Sequence, residues 1–289
     1  MVDGRTRVCG IIANPVEHTL SPVLHNTLAK ELGHNLVYVP FKPEKGGVDA
    51  AVKGAFELFV LGLNVSVPYK QEVIKSLAGL DQGAEAIGAV NTLVRTERGY
   101  LGYNTDYLGL WRALKEEGIV LEGQEVVVFG AGGAAKAAVY LCCKEGAKKV
   151  FLLNRTLEKA QKIADQYNQV FQKDCVYAMQ LEEYTKIFYR EHGYLAIQTS
   201  SVGMYPNVGQ VILEEKEFYR CFHTAFDLIY TPAQTKFMQL AKDAGARVYN
   251  GLKMLLYQGV TAYELWMNCT VPAGVVQKCY QVIEKELHQ

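Results

Sequence analysis

The sequence has no surplus of charge of either sign: 30 lysines and arginines stand against 30 aspartates and glutamates in 289 residues. It carries no basic block and no nucleic-acid-binding signature, which excludes nucleic acid as an expected partner. No apolar run approaches the roughly 20 residues that span a bilayer. The first strand is reached by Val8 without an apolar leader, so a cytoplasmic protein with no membrane contact is expected. The seven cysteines (9, 142, 143, 175, 221, 269 and 279) are scattered, odd in number and free of any C-x-x-C pair. That excludes a disulfide framework and predicts reduced, mostly buried thiols. The histidines lack metal-ligand spacing, so no metal is expected. Internal repeats and low-complexity tracts are also missing.

What is present is an ordinary globular composition, 49% hydrophobic and 21% charged, in a chain long enough for two domains with a core each. The apolar runs at 8–13, 36–41 and 57–68 predict three strands, and Ser21-Pro22 opens a helix that Gly33 ends. Lys70 is expected to begin another helix, and residues 92–104 alternate around Glu97-Arg98-Gly99 as a hairpin. A helix is expected from Tyr107 to Glu117. From Glu125 to Asn250 strands alternate with amphipathic helices, which predicts a parallel sheet covered on both faces. Two helices broken at Pro272 come last and have no strands of their own. The expected architecture is therefore α/β with a discontinuous first domain. Residues 1–106 and 252–289 form one domain, residues 107–251 form a Rossmann-type domain, and the C-terminal helices return to the first.

Gly130-Ala131-Gly132-Gly133-Ala134-Ala135 fits G-x-G-x-x-A directly after a strand and before a helix. The first glycine makes the turn, the second admits a pyrophosphate, and a small third residue lets the helix pack closely. The helix N-terminus then offers unpaired N–H groups to the phosphates. An NAD site ends the next strand with Asp or Glu to hold the ribose 2′-hydroxyl. Here that strand ends in Asn154-Arg155-Thr156, with Lys159 soon after. A guanidinium suits a 2′-phosphate and an acid would repel it, so the cofactor expected is NADP(H).

Polar residues also gather where strands meet loops: Thr19, Ser21, Asn64, Ser66, Lys70, Asn91 and Asp106. Each has an ordinary structural use. Ser21 suits a helix N-cap, Asn64 and Ser66 the end of a strand, Lys70 an exposed first turn, and Asn91 and Asp106 turn caps. Together they fall in ordered strings: Glu17-His18-Thr19-Leu20-Ser21-Pro22 with His25-Asn26, Asn64-Val65-Ser66-Val67-Pro68-Tyr69-Lys70, Gly88-Ala89-Val90-Asn91-Thr92, and Tyr103-Asn104-Thr105-Asp106. With Gly130–Ala135, Asn154-Arg155-Thr156, Ser201-Val202-Gly203-Met204, Tyr230-Thr231-Pro232 and Asn250–Leu255 plus Gln258, the set resembles the shikimate dehydrogenase family over nearly the whole chain.

The resemblance implies NADPH-dependent, reversible reduction of 3-dehydroshikimate to shikimate, a step in aromatic amino-acid biosynthesis. It implies that Lys70 and Asp106 are the catalytic pair. Thr19 and Ser21 would hold the substrate carboxylate, Thr19 keeping the hydroxyl of the family's serine. Asn64, Ser66, Asn91, Tyr230 and Gln258 would complete the substrate set. Leu228 and Gly251 would join Gly130–Ala134, Asn154–Thr156 and Lys159 at the cofactor, with Gly251 against the nicotinamide. Two positions depart from the family pattern: Tyr107 where glycine often comes after the aspartate, and Gln198 where asparagine is common.

The chemistry fits those roles. Carbonyl reduction puts negative charge on oxygen, which a lysine ammonium both stabilises and protonates. An ordinary lysine, with a pKa of about 10.4, is a poor base at neutral pH; the sequence leaves open whether Lys70 is tuned by burial or acts through its charge. Substrate is expected in a cleft between the domains, with hinges near Asp106–Leu108 and Gly251, in a monomer or homodimer. The rival readings are a quinate/shikimate dehydrogenase with dual NAD/NADP use, a related NADP enzyme acting on a pterin or amino acid, and a non-catalytic NADP- or metabolite-sensing relative. The last should have lost Lys70 or Asp106, and both are present.

Overall fold

The computed structural model describes residues 2–186 and 191–287. The chain forms two compact units, Met1–Gly109 with Leu255–Gln289, and Leu110–Met254.

The first unit runs β1 (Arg7–Ile12), α1 (Ser21–Glu31), β2 (Leu36–Phe41), α2 (Val48–Glu57), β3 (Gly62–Val65), a 3-10 turn (Glu72–Ser76), β4 (Gly79–Leu80), α3 (Gln82–Ile87), β5 (Thr92–Thr96), β6 (Gly99–Tyr103) and the start of α4 (Thr105–Glu116). Its sheet has the order β2-β1-β3-β5-β6-β4. β2, β1 and β3 are parallel, and β5 and β6 form the expected antiparallel hairpin. Three local expectations are corrected. The apolar run at 57–68 yields a strand only at Gly62–Val65, because a turn with Phe59 at φ 57° intervenes and leaves Leu58 and Phe59 exposed. Lys70 lies in a turn and not in a helix, and the 3-10 turn begins only at Glu72. Ser21 does not cap α1: the cap position is Leu20 and makes no side-chain bond, which leaves the Ser21 hydroxyl for other partners.

The second unit runs β7 (Glu125–Phe129), α5 (Gly133–Lys144), β8 (Lys149–Asn154), α6 (Leu157–Val170), β9 (Val176–Gln180), β10 (Tyr194–Gln198), α7 (Lys216–Tyr219), β11 (Phe222–Asp227), α8 (Lys236–Asp243) and β12 (Arg247–Tyr249). Its six strands are all parallel, in the order β12-β11-β10-β7-β8-β9. β7 and β10 are neighbours whose chains wind away in opposite directions, and in such sheets the crevice at the carboxyl ends of that pair is the ligand site. Under the sheet, Phe129, Phe218, Phe222 and Phe237 pack edge to face in one buried cluster. Each buried ring of this kind stabilises by about 1.5–3 kcal/mol.

The chain returns through α9 (Leu252–Met267) and α10 (Ala273–Leu287). Trp266 of α9 donates its indole N–H to Leu93 O at 2.9 Å and packs against Gly62, where a Cβ would stand 2.1 Å from the indole nitrogen. Lys278 of α10 pairs with Glu31 of α1 at 2.7 Å. Among the described residues no helix is long and apolar enough to cross a membrane.

Candidate active site

Strand register brings the polar residues of the first unit together. Asn64 pairs with Thr92 across β3 and β5, so its amide N–H groups reach Thr92 Oγ1 at 3.1 Å and Asn91 O at 3.2 Å. Its Oδ1 accepts from the Tyr38 hydroxyl at 2.7 Å. One residue past that pairing, Asn91 Oδ1 accepts from Thr105 N–H at 2.7 Å, and Asn91 Nδ2 donates to Asp106 Oδ1 at 2.8 Å. The other Asp106 oxygen accepts from Lys70 Nζ at 2.7 Å. Asn104 Oδ1 takes the Asp106 N–H at 3.1 Å and the Tyr107 N–H at 3.5 Å, an N-cap arrangement, so Asp106 is not needed as a cap and its carboxylate is free to face Lys70. The pair is only partly covered, with Lys70 27% and Asp106 15% exposed. A cation held at one edge of a buried hydrogen-bonded network is poised for a group that develops negative charge.

Thr19 donates to the Ser21 hydroxyl at 3.1 Å. One turn along α1 from Ser21, His25 is fully buried, stacked on Tyr38 with ring centroids 4.3 Å apart. Neither of its ring nitrogens has a hydrogen-bond partner. Burial outweighs the neighbouring Asn64 side chain and pushes the imidazole down to about 3, so it is neutral. Ser66 makes a backbone bond to Ile12 O, and Gln258 turns its amide back to Leu255 O in its own helix. Tyr107 is buried in the first unit against Gly83 of α3.

In the second unit Gly130 comes directly after β7 at φ +103°, with Thr199 Oγ1 3.0 Å from where a Cβ would stand. Only glycine accommodates both the conformation and the approach. Gly132 caps α5 without a side-chain bond and Gly133 faces open space, so the first N–H groups of the helix are uncovered. Ala135 is fully buried, as close helix packing requires. A cavity of about 400 Å³ is lined by Gly130, Asn154, Arg155, Ser200, Ser201 and Glu214. Thr156 and Lys159 are exposed. Gln198 is buried and organises this wall: its Oε1 accepts from Ser200 N–H at 2.6 Å while its amide donates to Ser200 O and Val202 O. Gly251 packs on Leu228, and burial raises the pKa of Tyr230.

The sequence matches three family profiles: a shikimate dehydrogenase substrate binding domain over residues 11–93, shikimate / quinate 5-dehydrogenase over 113–189, and a shikimate 5′-dehydrogenase C-terminal domain over 251–278. A shikimate dehydrogenase (NADP(+)) of Desulforamulus reducens is 38% identical over 96% of this chain and 95% of its own. The chain belongs to the shikimate dehydrogenase family. A crystal structure of a shikimate dehydrogenase in complex with NADP+ superposes with a TM-score of 0.88 at 34% identity, covering 99% of this chain and 97% of that one. A shikimate 5-dehydrogenase of Listeria monocytogenes, solved with shikimate and NAD, gives a TM-score of 0.89 at 31% identity over 96% of this chain and 97% of that one. The α/β architecture with a Rossmann-type sheet is thus the shikimate dehydrogenase fold.

Within the shikimate dehydrogenase profiles fall Thr19, Ser21, Asn64, Lys70 and Asn91 in the first, the glycine loop and Arg155 in the second, and Gly251 and Gln258 in the third. Asp106, Leu228 and Tyr230 lie outside all three. Sequence reasoning gave no role to Tyr38, Thr92, Asn104 or Thr105, although the last three stand inside the strings that carry the resemblance. Tyr38 had no signal beyond strand alternation; only register shows that its hydroxyl ends at Asn64.

Proposed function

We propose that this chain is an NADP-dependent shikimate dehydrogenase that interconverts 3-dehydroshikimate and shikimate, a step toward the aromatic amino acids. The observation that carries the reading is Lys70 held by Asp106, which is itself held by Asn91. When bound, the nicotinamide supplies hydride to the substrate carbonyl carbon. The Lys70 ammonium stabilises the charge that develops on the carbonyl oxygen and delivers the proton. Asp106 orients Nζ, and Asn91 fixes Asp106. The Thr19 and Ser21 hydroxyls receive the substrate carboxylate. Both N–H donors of Asn64 are engaged by the protein, so it acts first as a strut for the site. Ser66, Gln258 and Tyr230 complete the substrate set.

The residues present fit NADP. The uncovered N–H groups of α5 suit a pyrophosphate, and Arg155 on the cavity wall, with Asn154, Thr156 and Lys159, suits a 2′-phosphate. The second family profile names quinate beside shikimate, so quinate is the alternative substrate to weigh. Initial rates of NADP and NAD reduction with shikimate and with quinate test both readings in wild-type and Lys70→Ala protein. Shikimate with NADP should be the best pair and should collapse in the variant. No turnover with any of the four pairs would refute the enzyme reading.

A further inference from the structure

Asp227 ends β11 with a fully buried carboxyl group that the proposed chemistry does not use. Its Oδ1 accepts from the Ile229 N–H at 3.0 Å, and its Oδ2 accepts from the Thr235 hydroxyl at 2.6 Å. The same Thr235 oxygen accepts from Met238 N–H at 3.2 Å and so caps α8. Burial pushes the Asp227 carboxyl up to about 7 against these two donors, and they supply no cation. A buried carboxylate held only by neutral groups is an expensive way to close a turn, and a cap alone would need only the threonine.

What the two bonds enclose explains the residue. The segment from Leu228 to Tyr230 is tied at its start by Leu228 N–H to Gln198 O at 2.9 Å. It is tied again by Gly251 N–H to Ile229 O at 3.1 Å. The Asp227 bond to Ile229 N–H fixes the peptide between those ties. Leu228 and Tyr230 flank it, and Gly251 rests on the Leu228 carbonyl. The family resemblance implies Leu228 at the cofactor, Gly251 against the nicotinamide and Tyr230 at the substrate, so the inference rests on the proposed function.

We propose that Asp227, with Thr235, is a positioning residue that sets the Leu228–Tyr230 segment and Gly251 at the nicotinamide end of the cofactor without touching the reacting atoms. It does not act on the adenosine end, where Arg155 and Ser200 line a separate cavity.

The test uses Asp227→Asn, Thr235→Ala and Thr235→Ser, each checked for cooperative melting. kcat and KM are measured for NADPH and 3-dehydroshikimate, with Kd for 2′,5′-ADP, which occupies only the adenosine end. Asp227→Asn and Thr235→Ala are expected to lose about tenfold or more in kcat with 2′,5′-ADP binding unchanged within about twofold, and Thr235→Ser is expected to recover most of the loss. A kcat within about twofold of wild type in both Asp227→Asn and Thr235→Ala overturns the proposal. So does a weakening of 2′,5′-ADP in step with kcat, which would mean that the whole unit has loosened. If Asp227→Asn does not fold, the two Thr235 variants decide. If wild type itself does not turn over shikimate, the functional reading fails separately. The emission of bound NADPH, which reports the nicotinamide surroundings, then decides: unchanged emission and Kd in the Thr235→Ala protein overturn the positioning role.

Discussion

Gly251 runs over the carbonyl oxygen of Leu228 so closely that a Cβ on it would stand 2.0 Å from that oxygen. The obstacle is backbone and cannot rotate aside, so Gly251→Ala must displace the segment after β11. Forcing an extra methyl into such a contact costs about 1–3 kcal/mol. Urea unfolding should show that loss, and if Gly251 lies against the nicotinamide as proposed, kcat/KM with NADP should fall by about tenfold or more, since small misplacements near reacting atoms are costly. Wild-type stability and rates in the variant would show that the contact relaxes freely.

Asn91 is the hub of the first unit's network, accepting from Thr105 and donating to Asp106. Asn91→Ala leaves the buried Thr105 N–H without an acceptor, a loss of about 1–3 kcal/mol. It also frees Asp106 to turn away from Lys70. Stability and kcat should both drop, whereas Asn91→Asp, which places a second carboxylate beside Asp106, should keep the Thr105 bond and still lose kcat.

Arg155 lines the same cavity as Gly130. If it holds the 2′-phosphate as proposed, replacing it by Gln removes a charge-assisted contact that only NADP makes, and the preference for NADP over NAD should shrink by roughly tenfold or more. The shift should lie in KM for NADP, with KM for NAD hardly moved. Equal changes for both cofactors would place the 2′-phosphate elsewhere.

His25 links stability to pH. Burial holds its folded value at about 3, below the ordinary 6.5. Above pH 6.5 both folded and unfolded chains carry it neutral and its contribution is complete. As pH falls from 6.5 toward 3 only the unfolded chain takes the proton, so folding weakens by up to ~1.4 kcal/mol per pH unit. Urea midpoints at pH 7.5 and 5 should differ less in His25→Phe, which keeps a ring on Tyr38, than in wild type. The same difference in both proteins would assign the acid sensitivity to other groups.

Tyr107 and Gly83 fit as a pair: a Cβ at Gly83 would stand 2.6 Å from the Tyr107 ring. Gly83→Ala should therefore destabilise, and combining it with Tyr107→Ala should recover part of the loss. A double-mutant cycle by thermal melting should give a coupling of roughly 0.5–3 kcal/mol. Additive effects would mean that the ring moves aside at no cost.

The strand and helix plan of the second unit was legible because buried parallel strands and amphipathic helices write strong, distinct periods. The first unit was less so. α2 has a glycine inside it and α3 has only six residues, too few for a helical period to show. The strand at 62–65 was hidden in a longer apolar run whose first residues are exposed at a turn. Lys70 was legible in the sequence as a polar residue after a strand, but its turn conformation depends on contacts outside the local string, such as Val90 N–H to Lys70 O at 2.8 Å.

The family, the α/β class and the identity of the chemical groups were all written in the order of residues, because strings of glycines, hydroxyls and charges survive as text. Folding then settled which of those groups touch. Asn64 reaches Thr92 through antiparallel register, Tyr38 reaches Asn64 across the parallel strands, and Asp106 reaches Lys70 across 36 positions of chain. It also settled that Asp227, unremarkable in the sequence, is a buried carboxyl tied to the segment before Tyr230. Side-chain type is a local property of the chain, whereas hydrogen-bond partnership is fixed by strand register and loop closure, which depend on the packing of the whole unit.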